Sequence, residues 1–178
     1  RLVSTSTGGK QERNRRAGTE NVPGIAGLGI ASRLALQNAA SDAETISMLR
    51  DKLETGILQI VPGTIVNGDP SKRISNTTNI SFDRVEAESL LIALDLEGVA
   101  VSTGSACSSG TLEPSHVLRA MGFSAHRAQN SIRFSLGSDN TSEEIDRVID
   151  ILPKLVQKLR SVSRPSISPK QQTAPVGR

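Results

Sequence analysis

Apolar residues recur along this chain with two periods. Between residues 43 and 60, Ile46, Leu49, Leu53, Ile57 and Ile60 step by three and four, the signature of one helical face. That stripe predicts a long helix over residues 23–60, interrupted near Ala40-Ser41-Asp42. Pro23 is suited to its first turn, with Asn21 or Val22 as the cap. Gly24, Gly27 and Gly29 are poor helix formers and predict close packing there. Pro62 and Gly63 end the helix. A second stripe, Ala87, Leu90, Leu91 and Leu94, predicts a helix over 86–97 that Gly98 stops. A third runs Ile145, Val148, Ile149, Leu152, Leu155, Val156 and Leu159. Thr141-Ser142-Glu143-Glu144 opens it as a capping box, and Pro153 predicts a kink.

The other period is two. Thr78, Ile80 and Phe82 alternate with polar residues, as do Ile132, Phe134 and Leu136 with Ser131, Arg133 and Ser135, so both segments read as half-buried strands. Residues 64–67 read as a short strand before a Gly68-Asp69-Pro70 turn, and Val99-Ala100-Val101 as a buried strand. Glu113-Pro114-Ser115 opens a short helix that closes at Met121-Gly122. These pieces predict an α/β fold: about four short strands packed with three or more helices, with no internal repeat. The Ser/Pro/Gln-rich stretch 161–178 has almost nothing to bury and reads as a disordered tail. The chain starts abruptly at Arg1, which suggests part of something longer.

Charge narrows the partners. The net charge is +3, but Arg160, Arg164, Lys170 and Arg178 face no acid at the C-terminal end, so the remainder carries one more acid than base. With no Trp, no Tyr and three Phe there is no stacking platform, which argues against nucleic acid. No run is apolar enough to span a membrane. A single cysteine among 178 residues excludes an intramolecular disulfide framework and fits a reducing, cytoplasmic setting.

That cysteine sits in Ser102-Thr103-Gly104-Ser105-Ala106-Cys107-Ser108-Ser109-Gly110-Thr111. Free cysteine is as a rule a buried packing residue. This Ser/Gly segment has no apolar period and offers no pocket, so it reads as a loop that carries an accessible thiol, as a sulfur carrier requires. Upstream, Gly8 to Asn21 brackets a basic cluster with glycines and ends in Gly18-Thr19 ahead of a helix. This is either a solvated basic loop or an anion site suited to phosphate. Arg133 lies in mid-strand, where a guanidinium answers either a structural ion pair or a ligand carboxylate. His116 reads as a capping or packing residue more readily than as a catalyst.

Three of these motifs stand in order: Gly-Gly-Lys-Gln-Glu-Arg through Ala-Gly-Thr-Glu-Asn (8–21), Ser-Thr-Gly-Ser-Ala-Cys-Ser-Ser-Gly (102–110) and Ser-Ile-Arg-Phe-Ser-Leu-Gly (131–137). Together they resemble the C-terminal part of cysteine desulfurases of the NifS/IscS kind, class-V aminotransferases among the fold-type-I pyridoxal-phosphate enzymes. Also similar are Val85-Glu86-Ala87-Glu88-Ser89-Leu90-Leu91 and Leu112-Glu113-Pro114-Ser115-His116-Val117-Leu118. The resemblance covers about residues 7–160. It implies the small C-terminal domain of such an enzyme: residues 1–22 ending the cofactor domain, 23–160 forming a joining helix and the small domain, and 161–178 a tail.

It further implies that Cys107 is the nucleophile that takes sulfur from L-cysteine as a persulfide, releasing alanine. Thr19 would reach the pyridoxal 5'-phosphate of the other subunit of a homodimer, and Arg133 would hold the substrate carboxylate. The sulfur would pass to an acceptor such as an iron–sulfur scaffold protein, or to tRNA thiolation. No metal site is implied beyond a transient iron–sulfur ligand role for Cys107. The lysine that bears the cofactor in that family has no counterpart here, because none of the six lysines (10, 52, 72, 154, 158 and 170) stands in its Ser-His-Lys context. The chain alone is therefore expected to be inactive. The alternatives are a free-standing persulfide carrier or interaction module, and an inactive scaffold.

Overall fold

The computed structural model describes residues 3–104 and 114–162. In chain order the elements are α1 (Gln11–Asn14), α2 (Val22–Ile60), β1 (Thr64–Val66), β2 (Thr77–Phe82), α3 (Ala87–Leu96), β3 (Ser102–Thr103), α4 (His116–Ala120), α5 (Ala125–Gln129), β4 (Ser131–Ser135) and α6 (Ser142–Val162). The chain divides into two compact units, Arg1–Asp42 and Ala43–Arg178, and the division falls inside α2.

In the first unit, α1 is a single turn in which Glu12, Arg13 and Asn14 all have positive φ (51°, 56° and 64°). Left-handed backbone costs a non-glycine residue about 1–2 kcal/mol. The entry to α2 is capped as expected. The Asn21 side chain accepts from the Gly24 amide at 3.1 Å, and its carbonyl accepts from Ile25 at 2.9 Å. The expected interruption near residues 40–42 does not occur. Ser41 turns its hydroxyl back onto the Asn38 carbonyl at 3.0 Å, so its polar group is satisfied without leaving the helix.

The second unit is built on a four-stranded antiparallel sheet in the order β1-β2-β4-β3. The alternation in β2 and β4 puts Thr78, Ile80, Phe82, Ile132 and Phe134 on the core face, where all are buried. Leu53 and Ile57 of α2, Leu90 and Leu94 of α3, and Ile145, Leu152 and Val156 of α6 complete that core. Each such side chain contributes about 1.5–3 kcal/mol of burial. Gly56 lets α2 approach α6 closely, because a Cβ there would press on the Ile149 side chain, which would have to shift.

The helix ends follow local chemistry. Gly98 (φ +77°) closes α3 with its amide on Asp95 O at 2.8 Å and the Val99 amide on Leu94 O at 2.9 Å, a Schellman stop. At α6 the capping box is reciprocal. The Thr141 amide donates to the Glu144 carboxylate (3.1 Å), and the Glu144 amide donates to the Thr141 hydroxyl (3.3 Å). The helix runs on through Pro153 to Val162. One further sequence reading needs correction, and one element was not foreseen. The third strand is Ser102–Thr103 rather than Val99–Val101, because pairing starts only where Ser102 meets Arg133 and Thr103 meets Ile132. Helix α5, capped by Ser124 on the Arg127 amide (3.2 Å), was not legible in the apolar pattern. The 161–178 tail lies beyond the described residues except for its first two.

Candidate active site

One row of side chains crosses the face of the sheet opposite the core. Asn79 of β2 stands opposite Arg133 of β4, and Arg133 stands opposite Ser102 of β3. Directly opposed residues share a face with their Cβ atoms roughly 4.5–5.5 Å apart. Asn67, one residue past β1, extends the row: its amide donates to the Asn79 carbonyl at 2.7 Å. Arg133 is exposed, and its guanidinium has no ion-pair partner among the described residues. Of the two readings left open for this arginine, a structural salt bridge is therefore not what the described residues contain.

A buried polar network flanks the row. Arg127 of α5 lies over the Phe123 ring, 4.1 Å from its centroid, donates through Nε to Asn67 Oδ1 at 2.7 Å, and through Nη2 to Val66 O at 3.1 Å. Asn67 Nδ2 donates in turn to Asn79 Oδ1 (2.6 Å) and Ser131 Oγ (2.9 Å). Ser131, with 0% exposure, donates its hydroxyl hydrogen to Arg127 O at 2.6 Å. Every buried group in this chain of contacts is satisfied, the condition under which a polar network is rigid rather than costly.

The segment that carries Cys107 leaves from this row. Residues 105–113 lie outside the described part, but both flanks are described. Gly104 follows β3, and a Cβ on it would strike Ser115, the N-cap of α4, so the two ends of the segment meet. His116 is the first residue of α4, which Gly122 closes (φ +87°).

Thr19 belongs to the first unit and is exposed. Its loop is held from within: Arg16 Nη1 donates to the carbonyls of Gly18 (3.0 Å) and Thr19 (2.8 Å), and Gln11 Oε1 accepts the Gly18 amide at 3.2 Å. Gly18 takes φ +90°, which a side chain would resist. The Thr19 hydroxyl donates to none of the described residues.

A second ionic cluster holds the β1–β2 connection to α2. Arg73 is bidentate on Glu54, and Thr78 Oγ1 also donates to that carboxylate. Arg50, 7% exposed, bonds Asp51 at 2.7 Å and Ile74 O at 2.9 Å. Burial alone would raise the Glu54 pKa. The hydrogen bonds from Arg73 and Thr78, with the charges of Arg73 and Arg50, outweigh it and hold the carboxyl below its ordinary value.

The model of the family described as aminotransferase class-V matches residues 2–148. The chain belongs to that family. Cysteine desulfurase NifS of Azotobacter vinelandii is 53% identical over 156 residues, 88% of this chain and 39% of that protein. Cysteine desulfurase IscS of Methanosarcina thermophila is 51% identical over 164 residues, 92% of this chain and 40% of that protein. In structure the chain is similar to a NifS-like protein from Rickettsia africae, with a TM-score of 0.75 and 34% identity over 88% of this chain and 41% of that one. The chain thus spans about 40% of the length of the relatives it matches.

Class-V aminotransferases imply pyridoxal phosphate, and the residues present fit a share of such a site. In such enzymes a lysine carries the cofactor as a Schiff base. Lys10, Lys72, Lys154 and Lys158 are exposed, while Lys52 donates to Ser142 Oγ at 2.6 Å and pairs with Asp146 at 2.6 Å. A cavity of about 340 Å³ between the Gly98–Val101 stretch, the end of β4 and the start of α6 is lined by no lysine. The exposed donors Thr19 and Arg133, by contrast, have the chemistry to meet a phosphate and a carboxylate. Among the described residues there is no cluster of three metal-ligating side chains, and no helix is long and apolar enough to cross a membrane.

Of the three residues singled out in this class-V chain, Arg133 stands opposite Ser102 on the sheet, Cys107 lies outside the described residues, and Thr19 belongs to the other unit. Asn67, Asn79, Arg127 and Ser131 were not singled out. Alternation puts Asn79 on the polar face of β2, but its neighbour there depends on strand register, which no local pattern carries.

Proposed function

We propose that this chain is the C-terminal, sulfur-accepting part of a cysteine desulfurase. The observation that supports it most is the pairing of Arg133 with Ser102, five residues before Cys107 in the chain. From Ser102 to Cys107, five residues of chain span at most about 18 Å. A thiol on that tether stays within reach of a substrate whose carboxylate Arg133 holds.

Each residue then has a defined task. Arg133 offers a planar fork of donors that takes a carboxylate two bonds at a time and fixes which way the substrate points. Cys107 acts as the thiolate: its sulfur attacks the sulfur of L-cysteine, an S–S bond forms as the Cβ–S bond breaks with its electron pair left toward carbon, and the Cβ takes up a proton, so that alanine leaves and a persulfide stays on Cys107. Pyridoxal phosphate, when bound, supplies the electron sink for that bond cleavage. Thr19 donates to its phosphate, reaching the other subunit of a homodimer. The lysine that carries the cofactor belongs to a part outside these 178 residues, so the chain by itself does not desulfurate cysteine. In the cytoplasm the persulfide passes to an acceptor such as an iron–sulfur scaffold protein or a tRNA-thiolating partner.

The test supplies the chain with a lysine-bearing cofactor domain and L-cysteine, and measures alanine released and sulfur gained at Cys107 by mass spectrometry. Equal amounts of both, with Cys107→Ser abolishing the persulfide, are expected. Alanine released at an undiminished rate by Cys107→Ser contradicts the reading. Labelling of Cys107 only by a separate, complete desulfurase favours the carrier alternative instead.

A further inference from the structure

The row that holds Arg133 contains a second donor, and its direction is set through Asn67 by Arg127 of α5. An arginine can only donate. Arg127 Nε therefore fixes Asn67 with its oxygen toward α5, and Asn67 must turn its NH2 group the other way. That NH2 meets Asn79 Oδ1 at 2.6 Å, so Asn79 in turn presents its oxygen to Asn67 and its own NH2 away from it. Neither amide can flip without setting donor against donor or acceptor against acceptor. Ser131 locks the arrangement, accepting from Asn67 at 2.9 Å while donating to Arg127 O at 2.6 Å.

The consequence falls on Arg133. It stands directly opposite Asn79 on the same face, so the Asn79 NH2 and the Arg133 guanidinium are adjacent donors with no acceptor of their own among the described residues. Ser102, opposite Arg133 on its other flank, has its hydroxyl already donating to Thr103 O at 3.1 Å. Two neighbouring donor groups on paired residues, one charged and one neutral, suit a carboxylate better than a lone arginine does. We infer that Asn79 is a carboxylate-binding residue beside Arg133, and that Arg127 and Asn67 are positioning residues that hold its amide in the donating orientation. This rests on the reading of Arg133 as the carboxylate clamp.

The experiment is an acetate titration of the 178-residue chain, with sodium chloride as the ionic-strength control, followed by 15N NMR at the Asn79 side-chain NH2 and the Arg133 Nε–H. Both signals should move together along one binding curve. Asn79→Ala should weaken acetate binding on the order of tenfold, the loss of one hydrogen bond to a charged group. Arg127→Met should remove the Asn79 response while the Arg133 response persists at lower affinity, and Arg127→Lys, which keeps a donor, should restore it. A merely structural Arg127 would lower the melting temperature and leave the Asn79 response in place, which overturns the positioning role. Movement of Arg133 without Asn79 overturns the inference and leaves the reading of Arg133 intact. Movement of neither overturns both.

Discussion

In the second half of α2, Leu53 and Ile57 are buried among Ile80, Phe82, Leu152 and Val156, and Gly56 admits Ile149 of α6. In the first half, Val22, Ile25, Leu28, Ile30, Leu34 and Leu36 are all exposed, Leu36 to 82%. The residue types are alike and the helix is continuous. Gly27 and Gly29, which suggest close packing by sequence, have open space where a Cβ would stand. An apolar stripe therefore identifies a face without identifying its cover. For the second half the cover is the sheet and α6, encoded in this chain by the period-two and capping-box patterns.

The comparison can be broken most decisively in the core. Ile57→Ala removes a fully buried side chain and should cost about 2–5 kcal/mol in denaturant unfolding. A cost below about 1 kcal/mol would mean that the second half of α2 is no better covered than the first.

Acid should act next, through Glu54. Its carboxyl titrates below the ordinary value of 4.5, so the folded state favours the charged form. That contribution is complete above the unfolded value and is lost as pH falls through the folded one. Stability should therefore decline from about pH 4.5 downward. In Glu54→Gln this part of the decline should vanish, leaving a protein less stable at neutral pH. An unchanged acid profile in the variant would remove Glu54 from the account.

The smallest effect belongs to the exposed half. Leu28→Gln should change unfolding stability by no more than about 0.5 kcal/mol. It should instead reduce self-association, read by sedimentation, because contiguous exposed apolar surface favours it. A loss comparable to that of Ile57→Ala would show that the first half has a cover within the chain.

Much of this fold was legible because the signals are local. Asn21 caps α2, Gly98 and Gly122 stop α3 and α4, and Thr141 with Glu144 opens α6, each through contacts within five residues. The core faces of β2 and β4 follow from alternation alone. What stayed hidden depends on partners far away in sequence. β3 begins at Ser102 because Arg133, 31 positions on, is its partner. Arg127 reaches Asn67 across 60 positions, and Ser131 is buried because Asn67 and Arg127 satisfy it. The candidate site divides the same way. Cys107 and Arg133 stand out by composition and by charge in a strand, whereas Asn79 becomes visible only once the register sets it beside Arg133.

The central claim is that this chain contributes a thiol and a carboxylate clamp but not the lysine that carries the cofactor. Mixing the purified chain with pyridoxal phosphate, trapping with borohydride and measuring intact mass tests it directly. The account predicts no stoichiometric adduct at any single lysine. One full equivalent fixed on one lysine would show that these 178 residues build the cofactor site themselves, and would contradict it.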